Sequence, residues 1–431
     1  MSDVHLMILF IAIFLLLIAS GVWVGISLLI GACLAMVMFT DIPFWDSFVL
    51  DMWSVSSSWT LSALPLFILM GEVLSRTRLG DNLFRGLAPW CRSLPGGLMH
   101  VNVAGSAFFA TITGSSAATV ATVGRITLPE LEKRGYARQR VIGTLCGAGT
   151  LGLLIPPSVT MIVYGVIANV SVADLFIAGI IPGIVLAVIF SAYIALTSKA
   201  DKGSSTDTSE LHTGKLQGLL LLTPVVALMV CVIGSIYTGL ATPTEAAAVG
   251  VFGALMIAVG QGTFSLRMLM DASKDAVAVT SMILLILTAS SVITLAMGYT
   301  GIPAALASSI ASLELSKVEL ILALACFYIL LGCFLDGISM ITLTMAIIQP
   351  LLKTYGIDLI WYGIFIIIVV EMAQITPPLG INLFVIKGMT GHSIGYIARA
   401  AVPMFFLMIL MLVLIYLVPD LVTYLPAISR A

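Results

Sequence analysis

The sequence predicts an all-α polytopic membrane protein of two inverted-topology repeats, each with five spans, one re-entrant hairpin and one broken helix. Three observations carry this prediction. Of 431 residues, 60% are hydrophobic and only 9% charged, against roughly 25% charged in a soluble protein; uncharged runs such as 4–40 and 276–313 are too long for a soluble core helix. Two apolar blocks, 97–129 and 317–350, are too long for one crossing, and each is interrupted in its middle by small and polar residues. The only two Pro-Pro dipeptides, Pro156-Pro157 and Pro377-Pro378, stand 221 residues apart.

The same composition excludes other classes. A net charge of −2 without a basic patch leaves no footprint for nucleic acid. Transmembrane β-strands would alternate apolar and polar residues, which these runs do not. The six cysteines form no CxxC pair and read as small buried hydrophobes. No phosphate-binding GxxxxGK[ST] occurs, so the chain is not expected to hydrolyse ATP. No basic start marks a cleavable signal, and residues 6–19 read as a first span.

Spans follow in order at 6–19 and 21–39, with a sharp turn at Ser20-Gly21, because one straight helix over both would be about 50 Å long. A third runs over 52–75. The block 97–129 is interrupted at Thr113-Gly114-Ser115-Ser116-Ala117, and spans at 141–168 and 175–197 complete a first repeat, 1–197. A polar linker, 198–215, follows. The second repeat, 216–431, has spans near 216–238, 243–262 and 275–300, a block at 317–350 interrupted at Leu335-Asp336-Gly337-Ile338-Ser339, and spans at 359–388 and 395–418. If both blocks are hairpins that return to the side they entered, ten true spans remain and both termini lie outside. Fifteen Lys and Arg then face inward and three outward, as the positive-inside rule requires.

The offset of 221 also pairs Gly80 with Gly301, Pro129 with Pro350, Gly135 with Gly356, and Ser115 with Asp336. Five spans is an odd number, so the second copy must lie inverted relative to the first, the architecture of secondary transporters. Each Pro-Pro pair removes two N–H donors and breaks its helix. In mid-membrane the freed carbonyls need other partners. Carbonyl and hydroxyl oxygens suit an alkali cation, and the positive helix starts beyond each break suit an anionic substrate. One cation site would combine Ser115 and Ser116 with carbonyls near Ile155 and Pro156; the other, Asp336 and Ser339 with Thr376 and Pro377. Asp336 alone at the bilayer centre would cost roughly 2.5–3.5 kcal/mol, a penalty that a bound cation removes. Thr113, Ser158, Gly380 and Asn382 are the candidate substrate contacts.

These stretches resemble the large membrane subunit of the tripartite ATP-independent periplasmic (TRAP) transporters. The resemblance rests on Leu64-Pro65-Leu66-Phe67, Met70-Gly71-Glu72, Gly114-Ser115-Ser116-Ala117-Ala118-Thr119-Val120, Ile155-Pro156-Pro157-Ser158, Thr242-Pro243-Thr244-Glu245-Ala246-Ala247 and Thr376-Pro377-Pro378-Leu379-Gly380-Ile381-Asn382. It implies sodium-driven uptake of organic acids across the inner membrane by an elevator motion, with two or more Na+ ions. It also implies two partners, a periplasmic substrate-binding protein and a small membrane subunit of about four helices. This chain has Asp336-Gly337 where the family usually has Asp-Pro. Two other classes stay open: a self-sufficient sodium- or proton-coupled carboxylate carrier of the same superfamily, and an intramembrane enzyme or scaffold, although no His/Asp or Ser/Lys pair stands at a catalytic spacing.

Thr242-Pro243-Thr244-Glu245 fits a capping box with Pro at the first helical position. Glu72 and Arg76, four apart, read as an ordinary helix pair. Arg125 reads as an interface anchor in preference to a contact for the substrate carboxylate, and the four N-terminal tryptophans Trp23, Trp45, Trp53 and Trp59 as an interfacial belt. Glu371, one turn before the second break, reads either as a buried polar partner or as a site-lining group.

Overall fold

The computed structural model describes residues 20–39, 43–197, 214–300, 314–332, 335–378 and 380–429, together with 13, 16 and 17. The expected first span 6–19 and most of the linker therefore lie outside the described residues. The remainder is helical. Ser20-Gly21 forms the expected turn, with Gly21 at φ +80°, and α1 (Val24–Phe39) follows.

The third span departs from expectation. It is two helices, α2 (Trp45–Ser56) and α3 (Ala63–Ser75, entered through a 3-10 turn Trp59–Ser62), bent by 48°. The bend falls at Ser56-Ser57-Ser58. Ser56 Oγ donates to the Met52 carbonyl at 2.7 Å, and short hydroxyls of this kind compete with the helix ladder. The arginine-rich stretch after α3, which lies between the expected spans, contains α4 (Leu79–Cys91), which buries Leu83, Phe84 and Leu87 and exposes Arg85. Its apolar residues recur at helical spacing, so the charges mark one face of a helix and not a break.

The first long block is a helical hairpin, α5 (His100–Thr113) and α6 (Ser116–Lys133). At 1.5 Å per residue α5 is about 21 Å long, short of a hydrocarbon core of about 30 Å. The next span is broken as expected: α7 (Arg138–Gly149) continues through Leu151–Leu154, the chain extends over 155–158, and α8 (Val159–Ala168) leaves at 44°. α9 (Val172–Thr197) closes the first half.

The second half has α10 (Lys215–Tyr237), α11 (Pro243–Gly260) and α12 (Leu266–Thr300). Thr242 and Glu245 make the expected capping box on α11, with the Thr242 N–H donating to Glu245 Oε2 at 2.8 Å. α12 begins nine residues before the expected 275, and at about 52 Å it outreaches the bilayer. The second hairpin is α13 (Lys317–Leu331) with α14 (Gly337–Thr354). The second broken helix is α15 (Leu359–Gln374) with α16 (Ile381–Thr390), and α17 (Ile394–Leu417) follows. An unexpected last helix, α18 (Asp420–Ser429), packs on α9 and α15.

The offset of 221 runs through these boundaries. It carries Ser116–Lys133 onto Gly337–Thr354, and Arg138 onto Leu359, the first residues of the two broken helices. Pro129 and Pro350 lie inside the paired second arms, and Gly135 and Gly356 both take left-handed φ just beyond them. By length and composition six described helices can cross a membrane, or eight if each bent pair is one span. α14 is among the six, although it starts at the interior cavity described below.

Packing is layered. α15 is buried on every face from Ile360 to Gln374 and forms the centre. α1, α2 and the C-terminal part of α12 share a separate apolar cluster built on Leu28, Met36, Phe48 and Ile293. Around the centre the two halves exchange partners. α16 packs on α6, the second arm of the other half's hairpin, and α8 packs on α14 in the same way. Hydrogen bonds pin the exchange: Gln349 Nε2 donates to the Ala168 carbonyl at 2.9 Å, and the Tyr164 hydroxyl to the Leu359 carbonyl at 2.6 Å.

Candidate functional site

Both hairpin tips open onto one cavity of about 270 Å³. Thr113, Ser115 and Ser116 line it from the first tip and Asp336 from the second. Ser115 and Asp336, paired by the repeat, occupy the same structural position: each is the N-cap of its hairpin's second arm. Ser115 Oγ accepts from the Ala118 N–H at 3.4 Å. The Asp336 carboxylate accepts from the N–H groups of Ile338 (3.1 Å) and Ser339 (3.2 Å), and from the Ser339 hydroxyl. Asp336 is therefore not the unpaired carboxylate considered above. Its cap bonds and the helix start repay part of its burial without any ion.

The first tip is pressed against the first break. Gly114 takes φ +56°, and a Cβ there would stand 2.9 Å from the Pro157 carbonyl oxygen. Only glycine fits both the backbone angle and the gap. Pro156 and Pro157 offer no N–H to the carbonyls one turn upstream, those of Gly152 and Leu153. Ile155 is extended, and Ser158 caps α8 by accepting from Met161 N–H at 3.4 Å. The second tip meets α15, where a Cβ on Gly337 would lie 2.4 Å from Val370 Cγ1. The Thr376 hydroxyl donates to the Met372 carbonyl at 2.7 Å, at the end of α15. Gly380 opens α16. Both Pro-Pro bonds are cis.

Of the expected cation residues, Ser115, Ser116 and Asp336 reach the cavity, while Ile155, Pro156, Ser339, Thr376 and Pro377 stand outside its lining. Pro156 and Ser339 are buried behind it; Pro377 is exposed. Of the expected substrate contacts only Thr113 lines it. Ser158 and Asn382 are fully buried, and Asn382 Nδ2 donates to Ser116 Oγ at 2.7 Å, joining the second broken helix to the first tip. Ser116 Oγ in turn donates to the Gly149 carbonyl at 2.9 Å.

Glu371 resolves as a buried polar partner across the repeats: its Oε1 accepts from the Leu153 N–H at 3.0 Å, beside the first break. Four further polar side chains line the cavity without having been expected there: Glu72, Ser75, Thr160 and Gln374. Glu72 pairs with Arg76 as anticipated, and Arg76 also holds Asp275 of α12 at 2.5 Å. A carboxylate at the end of an apolar span was the available signal. Arg125 is exposed on α6 and does not line the cavity.

A membrane-embedded helical core with two capped hairpin tips and two interrupted helices around one polar-edged cavity defines a transporter permease. The chain belongs to the family of the tripartite ATP-independent periplasmic transporter, DctM component, whose model matches residues 11–421. It is 33% identical over 396 residues to the C4-dicarboxylate TRAP transporter large permease protein DctM of Pseudomonas aeruginosa, covering 89% of this chain and 88% of that protein. It is 30% identical to the protein of the same description from Rhodobacter capsulatus, covering 97% of each. The sialic acid TRAP transporter large permease protein SiaM of Vibrio cholerae is 26% identical over 415 residues, covering 95% of this chain and 96% of that protein. Among solved structures, the Alcanivorax borkumensis YdaH transporter shares the fold, with a TM-score of 0.63 at 14% identity over 92% of this chain and 96% of that one. These relatives are transporters, not enzymes.

Proposed function

We propose that this protein is the large permease of a sodium-coupled, binding-protein-dependent carrier for a small organic acid anion in the bacterial or archaeal inner membrane. The observation that carries this reading is the single cavity shared by both hairpin tips. One tip supplies neutral hydroxyls and the other a carboxylate, which are hard oxygen donors suited to Na+. The helix starts at Ser116, Gly337 and Val159 direct their N–H groups toward the same region, as an anionic substrate requires.

In this mechanism Asp336 supplies charge for one ion, and Ser115 and Ser116 supply hydroxyl oxygens for the other. Carbonyls freed at 152–153 complete the first site. The two repeats lie inverted, both termini are periplasmic, and transport proceeds by an elevator motion of the hairpins and broken helices. Two Na+ ions with a monovalent acid move one net charge, worth about 2.3 kcal/mol per 100 mV. A periplasmic binding protein delivers the substrate and a small membrane subunit of about four helices braces the permease. Relatives named for C4-dicarboxylates, sialic acid and isethionate support an organic acid as cargo.

Reconstituted vesicles test this. With both partners and an inward sodium gradient, uptake of the acid held by the cognate binding protein is expected, with little from the chain alone. Full uptake by the chain alone would favour the self-sufficient carrier, and uptake indifferent to sodium would reject the coupling.

A further inference from the structure

Among the described residues Glu371 of α15 is the only Asp, Glu, Lys or Arg that is buried. Its Oε1 accepts from the Leu153 N–H at 3.0 Å, and its Oε2 has no hydrogen-bond partner. No Lys or Arg pairs with it among the described residues. A carboxyl half satisfied at the centre of a membrane bundle is costly, so the free oxygen calls for a partner.

The surroundings say which kind. An unbroken helix would join the Leu153 N–H to the Gly149 carbonyl, four residues back. Here the Leu153 N–H donates to Glu371, and the Gly149 carbonyl accepts from the Ser116 hydroxyl at 2.9 Å. Leu153 and Ser116 both line the transport cavity. The Ser116 hydroxyl lies beside the Glu371 carboxyl but has its one hydrogen on Gly149. Asn382, which donates to Ser116, likewise leaves its Oδ1 without a donor. Oxygen lone pairs brought together without hydrogens call for a cation. The Leu153 N–H also shares one planar trans peptide with the Gly152 carbonyl. Its bond to Glu371 therefore turns that carbonyl to the opposite side and raises the charge on its oxygen. Gly152 is the residue whose carbonyl finds no N–H at Pro156. It is pressed on the first tip, where a Cβ would stand 2.8 Å from the Ser115 carbonyl oxygen.

We propose that Glu371 supplies the negative charge of the first sodium site and, through the Gly152–Leu153 peptide, positions a carbonyl ligand of that site. The assignment rests on the sodium coupling proposed above. Ser115, Ser116 and the freed carbonyls are all neutral, so two ions set against Asp336 alone leave one positive charge uncompensated in the bilayer. Glu371 balances it, and both ions can load before the anionic substrate arrives.

The test is equilibrium binding of radioactive sodium to the full chain purified in detergent, at constant ionic strength with potassium, beside thermal unfolding without sodium. The wild type is expected to bind two ions and Asp336→Asn one. Glu371→Gln keeps an acceptor for the Leu153 N–H, so its sodium-free midpoint should match the wild type. Its half-saturating sodium for one ion should rise at least about tenfold. Joined to Asp336→Asn, it should leave almost no binding. Glu371→Asp keeps the charge but draws it back from Leu153, so it should lose more stability than Glu371→Gln yet hold sodium better. A purely structural role gives the opposite order and overturns the proposal. Should Glu371→Gln not fold, difference infrared spectroscopy of Asp336→Asn between sodium and potassium should show a shifted carboxylate stretch, and its absence overturns the assignment. Wild-type sodium affinity in Glu371→Gln, beside a weakened Asp336→Asn, overturns the role of Glu371 and leaves sodium coupling standing. A wild-type chain without saturable sodium binding overturns the coupling and this assignment with it.

Discussion

Replacing Asp336 by Asn separates the two jobs its carboxylate performs. As an N-cap, Asn is about as good as Asp, so the bonds to the Ile338 and Ser339 N–H groups survive. The loss of charge at the helix start removes at most about 1 kcal/mol of stability. The effect on a captured cation is larger. A unit charge about 4 Å away at an effective dielectric constant near 20 contributes about 4 kcal/mol, or roughly a thousandfold in affinity. Half-saturating sodium for uptake in vesicles holding the chain and its partners should therefore rise beyond the measurable range in Asp336→Asn, while the sodium-free unfolding midpoint moves by only a few degrees. Asp336→Ala should lose sodium-stimulated uptake and, in addition, about 1 kcal/mol of stability from the missing cap. Wild-type sodium dependence in Asp336→Asn would refute the assignment of this carboxylate to an ion.

Substitutions at three further positions probe the rest of the site. Ser115→Ala should likewise abolish sodium-stimulated uptake and cost about 1 kcal/mol of stability, read by thermal unfolding. Gly114→Ala should destabilise by about 1–2 kcal/mol from the left-handed backbone alone and displace the tip from Pro157, so uptake should fall more than the unfolding midpoint accounts for. Glu371→Gln should retain an acceptor for the Leu153 N–H and remain close to wild type in stability, whereas Glu371→Leu strands that donor at a cost of about 1–3 kcal/mol, visible as a lowered midpoint.

The repeat, both hairpins and both breaks were legible in the sequence because rare residues mark them: Pro-Pro pairs, and Ser or Asp in mid-block. The cap role shared by Ser115 and Asp336 was legible only as an alignment, since capping depends on where a helix starts. Three elements escaped for identifiable reasons. Charges in 76–92 hid the amphipathic helix α4, the Ser56–Ser58 bend lies inside an apolar run, and α18 carries Pro426 within a short segment. Glu72 read as half of an ordinary helix pair because Arg76 stands four residues on; that it borders the cavity follows from how α3 packs on the first hairpin. The link from Glu371 to Leu153 spans 218 residues, and no local pattern announces it.

The exchange of partners around α15 also bears on how such a protein can change over evolutionary time. After duplication, a copy that keeps its working surfaces to itself can drift while its twin preserves the original duty. Here Asn382 of one copy bonds Ser116 of the other, and Gln349 bonds the Ala168 carbonyl. Adaptation to a new cargo must therefore recruit compensating substitutions in both copies at once, and divergence in sequence proceeds under a shared geometric restraint.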